Sequence, residues 1–196
     1  MSIKAKFTAA AATLALAGGM GLAGTMTASA APTAPAARSA TIGCQDYTGG
    51  YCGSQDLKFG HYALDVKGQR ATYGNTVILW TRSNTDPAQD FIFKNYNGLS
   101  GTGGPDKTFE YAPNGRASGL CLSFPSETRG SGGVLRVCNE SIWQTFSPIY
   151  VDGTYVGWQN QASGYVMEDG GFQNQGTQVD QWTYNGGDNQ EWKYVS

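Results

Sequence analysis

The side chains that could carry out catalysis are few in this chain of 196 residues. Its single histidine, His61, lies in neither a Gly-x-Ser-x-Gly nor a His-Glu-x-x-His motif, so the common hydrolase signatures are absent. Carboxylates are more numerous, and a glycosidase needs only two of them about 5–10 Å apart. That chemistry also requires an enclosing cleft, whereas a domain built from small repeats offers shallow pockets. We therefore expect a non-catalytic protein with no cofactor and no metal site.

A short motif that occurs three times is the most informative pattern. A glutamine is followed two positions later by an aromatic residue at 89–91, 144–146 and 190–192. Two apolar, strand-like runs precede each copy; in the first copy they lie at 62–65 and 77–80. Three copies in register indicate an internal repeat, and overlooking a repeat misassigns the fold.

The motif residues themselves are expected to be structural. Buried polar groups are kept only when they are hydrogen-bonded, so the glutamines should bond to backbone groups while the aromatic residues fill a shared core. The residues assigned to this core are Gln89, Phe91, Gln144, Phe146, Gln190 and Trp192.

The first 42 residues have the features of a secretory leader. A basic head with Lys4 and Lys6 precedes an Ala/Leu/Gly-rich stretch, and Ala28-Ser29-Ala30 supplies the small residues that a signal peptidase reads. We predict a signal peptide over 1–30 and a disordered leader over 31–42, because the latter has two prolines and no periodicity. The mature protein is expected to be extracellular.

Charge argues against two classes of partner. The chain has 13 Lys and Arg against 15 Asp and Glu, a formal net charge of −2, and no basic run is visible. Nucleic acid and anionic membranes are therefore poor candidates as partners.

The four cysteines all follow the predicted leader, and four cysteines allow three pairings. The repeat favours two of the possible bonds, because Cys121 and Cys138 lie on neighbouring strands of one unit and Cys44 and Cys52 are close in sequence. A zinc site is disfavoured, since it usually needs a tighter spacing and a matching second pair.

Strands and turns dominate the secondary structure that the sequence predicts. Short runs rich in Val, Ile, Leu and aromatic residues alternate with glycine-containing turns, and no long 3.6-residue periodicity follows residue 42. Together with the repeat, this predicts an all-β domain of three similar units. We place a disulfide-closed segment at 43–56 and the domain at 57–196, with repeats at about 57–96, 112–150 and 157–196.

The repeat resembles the ricin-B-type lectin domain in a secreted, bacterial-type form. The matching pattern is Leu-Asp at 64–65, Val-x-Leu-Trp at 77–80 and Gln-x-Phe at 89–91, with related copies downstream over 57–196. The resemblance implies a β-trefoil of three pseudo-symmetric four-stranded units. It also places Cys121 and Cys138 where the family has a disulfide within one unit.

The resemblance further implies a sugar-binding site in the third unit. It assigns the carboxylate to Glu168, the aromatic residue to Trp182 and the amide to Asn189, with Asp180 at a polar rim position and Asp169 as a competing carboxylate. These residue types suit a sugar, because an aromatic ring packs on its C–H face. A carboxylate accepts hydrogen bonds from adjacent hydroxyls, and an amide offers both a donor and an acceptor.

The other two units match this pattern less completely. The first offers Asp65 and Trp80, but Ala88 replaces the amide and Ile78 the polar rim residue. The second offers only Ser123 and has no aromatic residue at the stacking position, which predicts an inactive sugar site.

Two functions remain in view at this level. One is a secreted lectin-like module that binds a glycan or polysaccharide, mainly through the third unit. The other is a secreted trefoil that binds a protein, for example as an inhibitor, or has a structural role with a degenerate sugar site.

Overall fold

The computed structural model describes residues 50–96, 106–171 and 174–195, all within one compact unit that spans 39–196. The predicted signal peptide at 1–30, the leader at 31–42 and Cys44 lie outside the described residues, so these predictions and the Cys44–Cys52 pair stay predictions. None of the helices in the described ranges is long and apolar enough to cross a membrane.

The described residues form twelve strands, four in each unit, and this confirms the all-β, β-trefoil fold class. The first unit contains β1 (Gly50–Leu57), β2 (Tyr62–Val66), β3 (Val77–Thr81) and β4 (Phe91–Tyr96). The second contains β5 (Asp106–Tyr111), β6 (Leu120–Ser123), β7 (Val134–Val137) and β8 (Phe146–Tyr150). The third contains β9 (Val156–Asn160), β10 (Val166–Glu168), β11 (Asp180–Trp182) and β12 (Trp192–Val195). The helical elements are single 3₁₀ turns at Lys67–Gln69, Pro87–Gln89, Pro113–Gly115, Ile142–Gln144 and Asp188–Gln190.

Six of the strands close into a ring. Antiparallel pairing runs from β1 to β4, β5, β8, β9 and β12 and returns to β1. Each unit adds one hairpin to this ring, formed by β2–β3, β6–β7 or β10–β11. The closed ring leaves no unpaired edge among its six strands, a hazard that open sheets must otherwise manage.

The three hairpins meet around a ring of backbone hydrogen bonds. Val77 N–H donates to Gly133 O (3.0 Å), Gly133 N–H to Val179 O (2.7 Å) and Val179 N–H to Val77 O (3.1 Å). Glycine is needed in the second unit, because a Cβ at Gly133 would lie 2.9 Å from the Leu122 side chain and 3.3 Å from that of Phe124. These three bonds define the pseudo-threefold relation that equates positions in the three units.

The repeated aromatic residues lie in a single hydrophobic core. Phe91, Phe146 and Trp192 are completely buried and belong to one continuous cluster with residues of all three hairpins. The Trp192 indole N–H also donates to Met167 O at 3.1 Å, so its polar atom is satisfied in the core.

Each repeated glutamine joins the end of one strand to the loop that follows it. Its amide N–H donates to a backbone carbonyl, and its oxygen accepts from the backbone N–H two residues further along. The partners are Thr81 and Ser83 for Gln89 (2.9 and 2.9 Å), Val137 and Asn139 for Gln144 (2.9 and 3.0 Å), and Thr183 and Asn185 for Gln190 (3.0 and 2.8 Å). All three glutamines are buried, as the cost of an unsatisfied amide requires.

The sheet begins earlier than the boundary at 57. β1 starts at Gly50 and pairs with β2, β4 and β12, and β5 starts at Asp106 rather than near 112. The segment Gly50–Leu57 contains two glycines and several polar residues, so it lacks the apolar alternation typical of a strand. Partners on both sides hold it in the ring, which a local pattern does not show.

The predicted bond between Cys121 and Cys138 is confirmed. Their Cα atoms lie 5.0 Å apart, and the bond ties β6 to the residue that follows β7. Among the described cysteines none is a free thiol.

Candidate functional site

The third hairpin brings three of the predicted site residues together. Glu168 lies directly opposite Asp180, and Trp182 lies opposite Val166. Because opposite residues share a face and side chains alternate along a strand, Glu168, Asp180 and Trp182 project from the same face of the hairpin.

Asn189 completes this group from the turn before β12. Glu168 Oε2 accepts hydrogen bonds from Gln190 Nε2 at 2.8 Å and from Asn189 Nδ2 at 3.3 Å. The same Asn189 amide lies 3.5 Å from Asp169 Oδ1, and Asp169 N–H donates to Asn189 O at 3.3 Å. These contacts hold the end of the hairpin against the turn, so the carboxylates and the amide have fixed relative positions.

Three carboxyl groups crowd this corner, and their pKa values are all raised. Burial is the main cause for each of them, and it raises the pKa of Asp180 to about 7 with the help of the neighbouring charges of Glu168 and Asp169. Glu168 and Asp180 lie opposite each other in the strand pair, and two neighbouring carboxyl groups favour a proton on one of them. Asp169 Oδ2 is buried without a donor and remains an unused acceptor. Despite this concentration of carboxylates, no group in the described ranges is arranged to hold a metal ion.

Trp182 is partly covered by the second unit. Its side chain is 37% exposed, and the Arg129 guanidinium carbon lies 4.4 Å from the ring centre. A Cβ placed at Gly130 would lie 3.5 Å from the same ring. The tip of the second hairpin therefore packs on the indole and leaves only part of the ring exposed.

The first unit presents a carboxylate and an aromatic residue but no amide. Asp65 is buried opposite Ile78, and its Oδ2 accepts from Gln89 Nε2 at 3.3 Å. Burial raises the pKa of Asp65 to about 7. Trp80 projects from the same face and is 39% exposed, whereas Ala88 at the amide position is buried.

The second unit has a cavity at the equivalent place. It has a volume of about 330 Å³, and its lining includes Ser123, Arg136 and Trp143. The glutamine contacts and the strand register put these three at the positions of Glu168, Trp182 and Asn189 in the third unit. Sequence reasoning found Ser123 there but did not assign the other two to a site.

Sequence reasoning also missed the residues at the hairpin tips. Each precedes a glycine with positive φ whose N–H donates to a strand of the next unit: Gly74 to Leu135 O (2.7 Å), Gly130 to Gln181 O (2.8 Å) and Gly176 to Leu79 O (2.7 Å). The tip residues are Tyr73, Arg129 and Gln175. The local signal was a residue-glycine pair repeated between the two strand-like runs of every unit.

A larger cavity of about 500 Å³ lies elsewhere and contains the single histidine, His61. Of its basic side chains, Arg82 pairs with Asp56 at 2.5 Å and Lys58 with Glu191 at 2.5 Å. These ion pairs account for two of the basic side chains on its rim, and the third, Lys193, lies with its Nζ 6.0 Å from the centre of the Tyr155 ring.

Comparison with known proteins identifies the fold and not a family. No family model and no curated protein matches the chain. Among solved structures, a designed threefold-symmetric protein, ThreeFoil, aligns with a TM-score of 0.62 at 20% identity over 74% of this chain and 98% of its own. The Rhizoctonia solani agglutinin aligns with a TM-score of 0.60 at 15% identity, over 76% and 97% of the two chains. The hemolytic lectin CEL-III aligns with a TM-score of 0.57 at 23% identity over 76% of this chain, which matches 31% of the length of that lectin.

Proposed function

We propose that this chain is a secreted, non-catalytic carbohydrate-binding protein of the lectin type, with its main site in the third unit. The observation that carries the proposal is the convergence of Glu168, Asp180, Asn189 and the partly exposed Trp182 on one hairpin face. The fold supports it too, because several solved structures with this fold are named as lectins or agglutinins.

The geometry suits the two chemically different parts of a sugar. The exposed area of Trp182 offers a surface on which the C–H face of a pyranose packs. The carboxyl group of Asp180, which is partly exposed, offers a hydrogen-bonding partner for the hydroxyl groups of a sugar. Asn189 donates a hydrogen bond to Glu168, which fixes the orientation of the Asn189 amide toward the sugar hydroxyls.

Affinity at this site should be weak. A shallow site encloses little of its ligand, and binding costs the sugar its rotational freedom and bound water. We expect a Kd of about 0.1–10 mM for a single site, or about −3 to −6 kcal/mol.

The first unit provides a second, weaker site in this proposal. Asp65 and Trp80 supply the carboxylate and the aromatic surface, but Ala88 supplies no hydrogen bond. Binding there therefore depends on fewer contacts, and the gain from two linked sites should be modest.

Secretion rests on the leader alone. The basic head, the apolar stretch and Ala28-Ser29-Ala30 support export and cleavage after residue 30. Amino-terminal sequencing of protein recovered outside the producing cells should begin at Ala31; recovery of the chain only inside the cells, with Met1 retained, would contradict export.

The site is tested by combining a glycan array with titration. An array identifies a ligand, and calorimetry then compares the wild type with Trp182→Ala, Asn189→Ala and Trp80→Ala. We expect each third-unit variant to lose about 1–3 kcal/mol, which abolishes detectable binding at a site this weak. Tyr150→Ala is the matched control, because it removes an exposed aromatic residue from β8.

Two results would count against the third unit. Retained affinity in Trp182→Ala with loss in Trp80→Ala would move the main site to the first unit. Retained affinity in both would mean that these residues are not ligands.

Binding to a protein is the second candidate function, and one observation favours it. Arg129 lies on the ring of Trp182, and both are exposed. Arginine and tryptophan are enriched among the residues that dominate protein–protein interfaces. Failure of the mature protein to bind any glycan on the array or any polysaccharide in a pull-down would favour this alternative.

A further inference from the structure

The cavity of the second unit has an electrostatic character opposite to that of the third-unit site. Ser123 stands where the other units have a buried carboxylate, and none of the residues that line the cavity is acidic. Arg136 stands where the other units have tryptophan. The position that is predicted to lack a working neutral-sugar site is therefore a pocket lined by no acidic residue and by one cation, Arg136.

The Arg136 guanidinium has an edge without an acceptor. Its Nη1 group donates to the Tyr73 hydroxyl, and its central carbon lies 4.9 Å from the centre of the Tyr73 ring. Nε is buried and has no hydrogen-bond partner, and no salt bridge in the described ranges includes this residue. Nε and Nη2 form the side of the guanidinium that binds a carboxylate or sulfate in a bidentate manner. A buried N–H without an acceptor is unfavourable, so an anion placed there would supply what the protein does not.

We propose that the second-unit cavity binds an acidic sugar residue through Arg136. The shared chemistry of the ligand is a carboxylate or sulfate group on a saccharide, so uronic acids and sulfated sugars both qualify. The proposal goes beyond the third-unit site and does not rest on it, because the residues and the ligand charge are different.

The rest of the cavity favours a saccharide over a bare anion. Trp143 and Tyr73 contribute aromatic surface on its wall, while Ser123 and Asn139 contribute a hydroxyl and an amide. Aromatic rings pack on the C–H face of a sugar, and hydroxyl and amide groups bond to its rim. A volume of about 330 Å³ is in the range of small-ligand pockets.

The test compares ligands that differ only in charge. The full mature chain is titrated with an oligogalacturonate, with its uncharged galactose counterpart and with a sulfated galactose oligomer. We expect one or both acidic oligomers to bind through this cavity and the binding to weaken several-fold between about 50 and 300 mM salt. Comparing the oligogalacturonate with the sulfated oligomer then shows whether the cavity binds a carboxylate or a sulfate group.

Variants separate this cavity from the rest of the surface. Arg136→Gln should weaken binding of the acidic oligomer at least about tenfold, and Arg136→Lys several-fold, because lysine keeps the charge but loses the planar fork. Arg116→Gln, an exposed arginine outside the cavity, and Trp182→Ala should leave it unchanged.

A second readout does not depend on Arg136. Trp143 lines the cavity, so the acidic oligomer should change the tryptophan fluorescence of the wild type, and the change should disappear in Trp143→Phe. Unchanged affinity in Arg136→Gln, loss of acidic binding in Trp182→Ala, or no binding of either acidic oligomer would each overturn the proposal. Loss of neutral-glycan binding in Trp182→Ala with acidic binding intact would support both sites.

Discussion

The second and third hairpins share one backbone frame and carry opposite chemistry. In both, a buried glutamine holds the strand end to the following loop, and a hairpin tip from the preceding unit packs on the rim. The third hairpin gathers three carboxyl groups beneath Trp182, whereas the second has Ser123 and Arg136 at the corresponding positions.

Each site is covered by the tip of the hairpin from the preceding unit, and this contact is kept although the residues differ. Arg129, at the tip of the second hairpin, covers Trp182 of the third unit. Tyr73, at the tip of the first hairpin, covers Arg136 of the second unit. Cation and aromatic ring have changed places, so the cation–π contact persists while the charge of the site is reversed. Site chemistry can therefore vary while the frame stays intact.

The largest expected effect tests whether the frame is equally important in both units. Trp192→Ala and Phe146→Ala each remove a fully buried aromatic side chain from the common core. Each should lower the free energy of unfolding by about 3–5 kcal/mol, measured by chemical denaturation. A large loss in one variant and none in the other would show that the units do not share one core.

Removing the disulfide should lower the stability of the protein without disturbing the third-unit site. Cys121 and Cys138 are separated by 17 positions, so loss of the bond in a Cys121→Ala, Cys138→Ser variant should cost about 3 kcal/mol of stability. Third-unit glycan binding should survive at temperatures well below the melting transition, and calorimetry checks this. Loss of that binding in a variant that is still folded would mean that the two hairpins are coupled.

Acidic groups should make stability depend on pH in a direction opposite to ordinary acid denaturation. Burial raises the pKa of Asp65 and Asp180 to about 7 from 3.8, so the folded state holds their protons more tightly than the unfolded state. Their contribution to stability is complete below about pH 4 and is lost as pH rises through 7. Asp65→Asn should reduce this loss and stabilise the protein by about 1–3 kcal/mol at pH 8.

Melting temperatures from pH 4 to 8 measure this effect. Arg116→Gln serves as the control, since it removes one exposed charge and leaves Asp65 and Asp180 in place. A melting temperature that rises steadily from pH 4 to 8 in the wild type would show that these carboxyl groups are ionised throughout.

The smallest expected effect concerns the contact between Arg129 and Trp182. Arg129 is exposed and holds one face of the indole, so Arg129→Ala should loosen the ring and weaken glycan binding about two- to fivefold. Titration of the third-unit ligand measures the change. A rise in affinity would show instead that the sugar and Arg129 compete for the same face.

Much of the fold could be predicted because its signals are local. Apolar alternation, turn glycines and the glutamine-x-aromatic motif each occupy a few neighbouring residues, and they predicted an all-β trefoil of three units. The bond between Cys121 and Cys138 followed from the same repeat register. β1 was not predicted, because Gly50–Leu57 has no apolar alternation and its strand partners lie far along the chain.

By itself, therefore, the sequence determined the repeat and the strand-rich fold, while the ligand-binding positions in each unit stay a prediction. Tertiary structure alone decided what surrounds those positions. Tyr73 meets Arg136 across 63 positions of sequence, and Arg129 reaches Trp182 from another unit. Burial around Asp65 and Asp180, which raises their pKa values, likewise depends on neighbouring strands of the sheet. These properties arise where units pack against one another, so the pattern of residues along a single strand does not predict them.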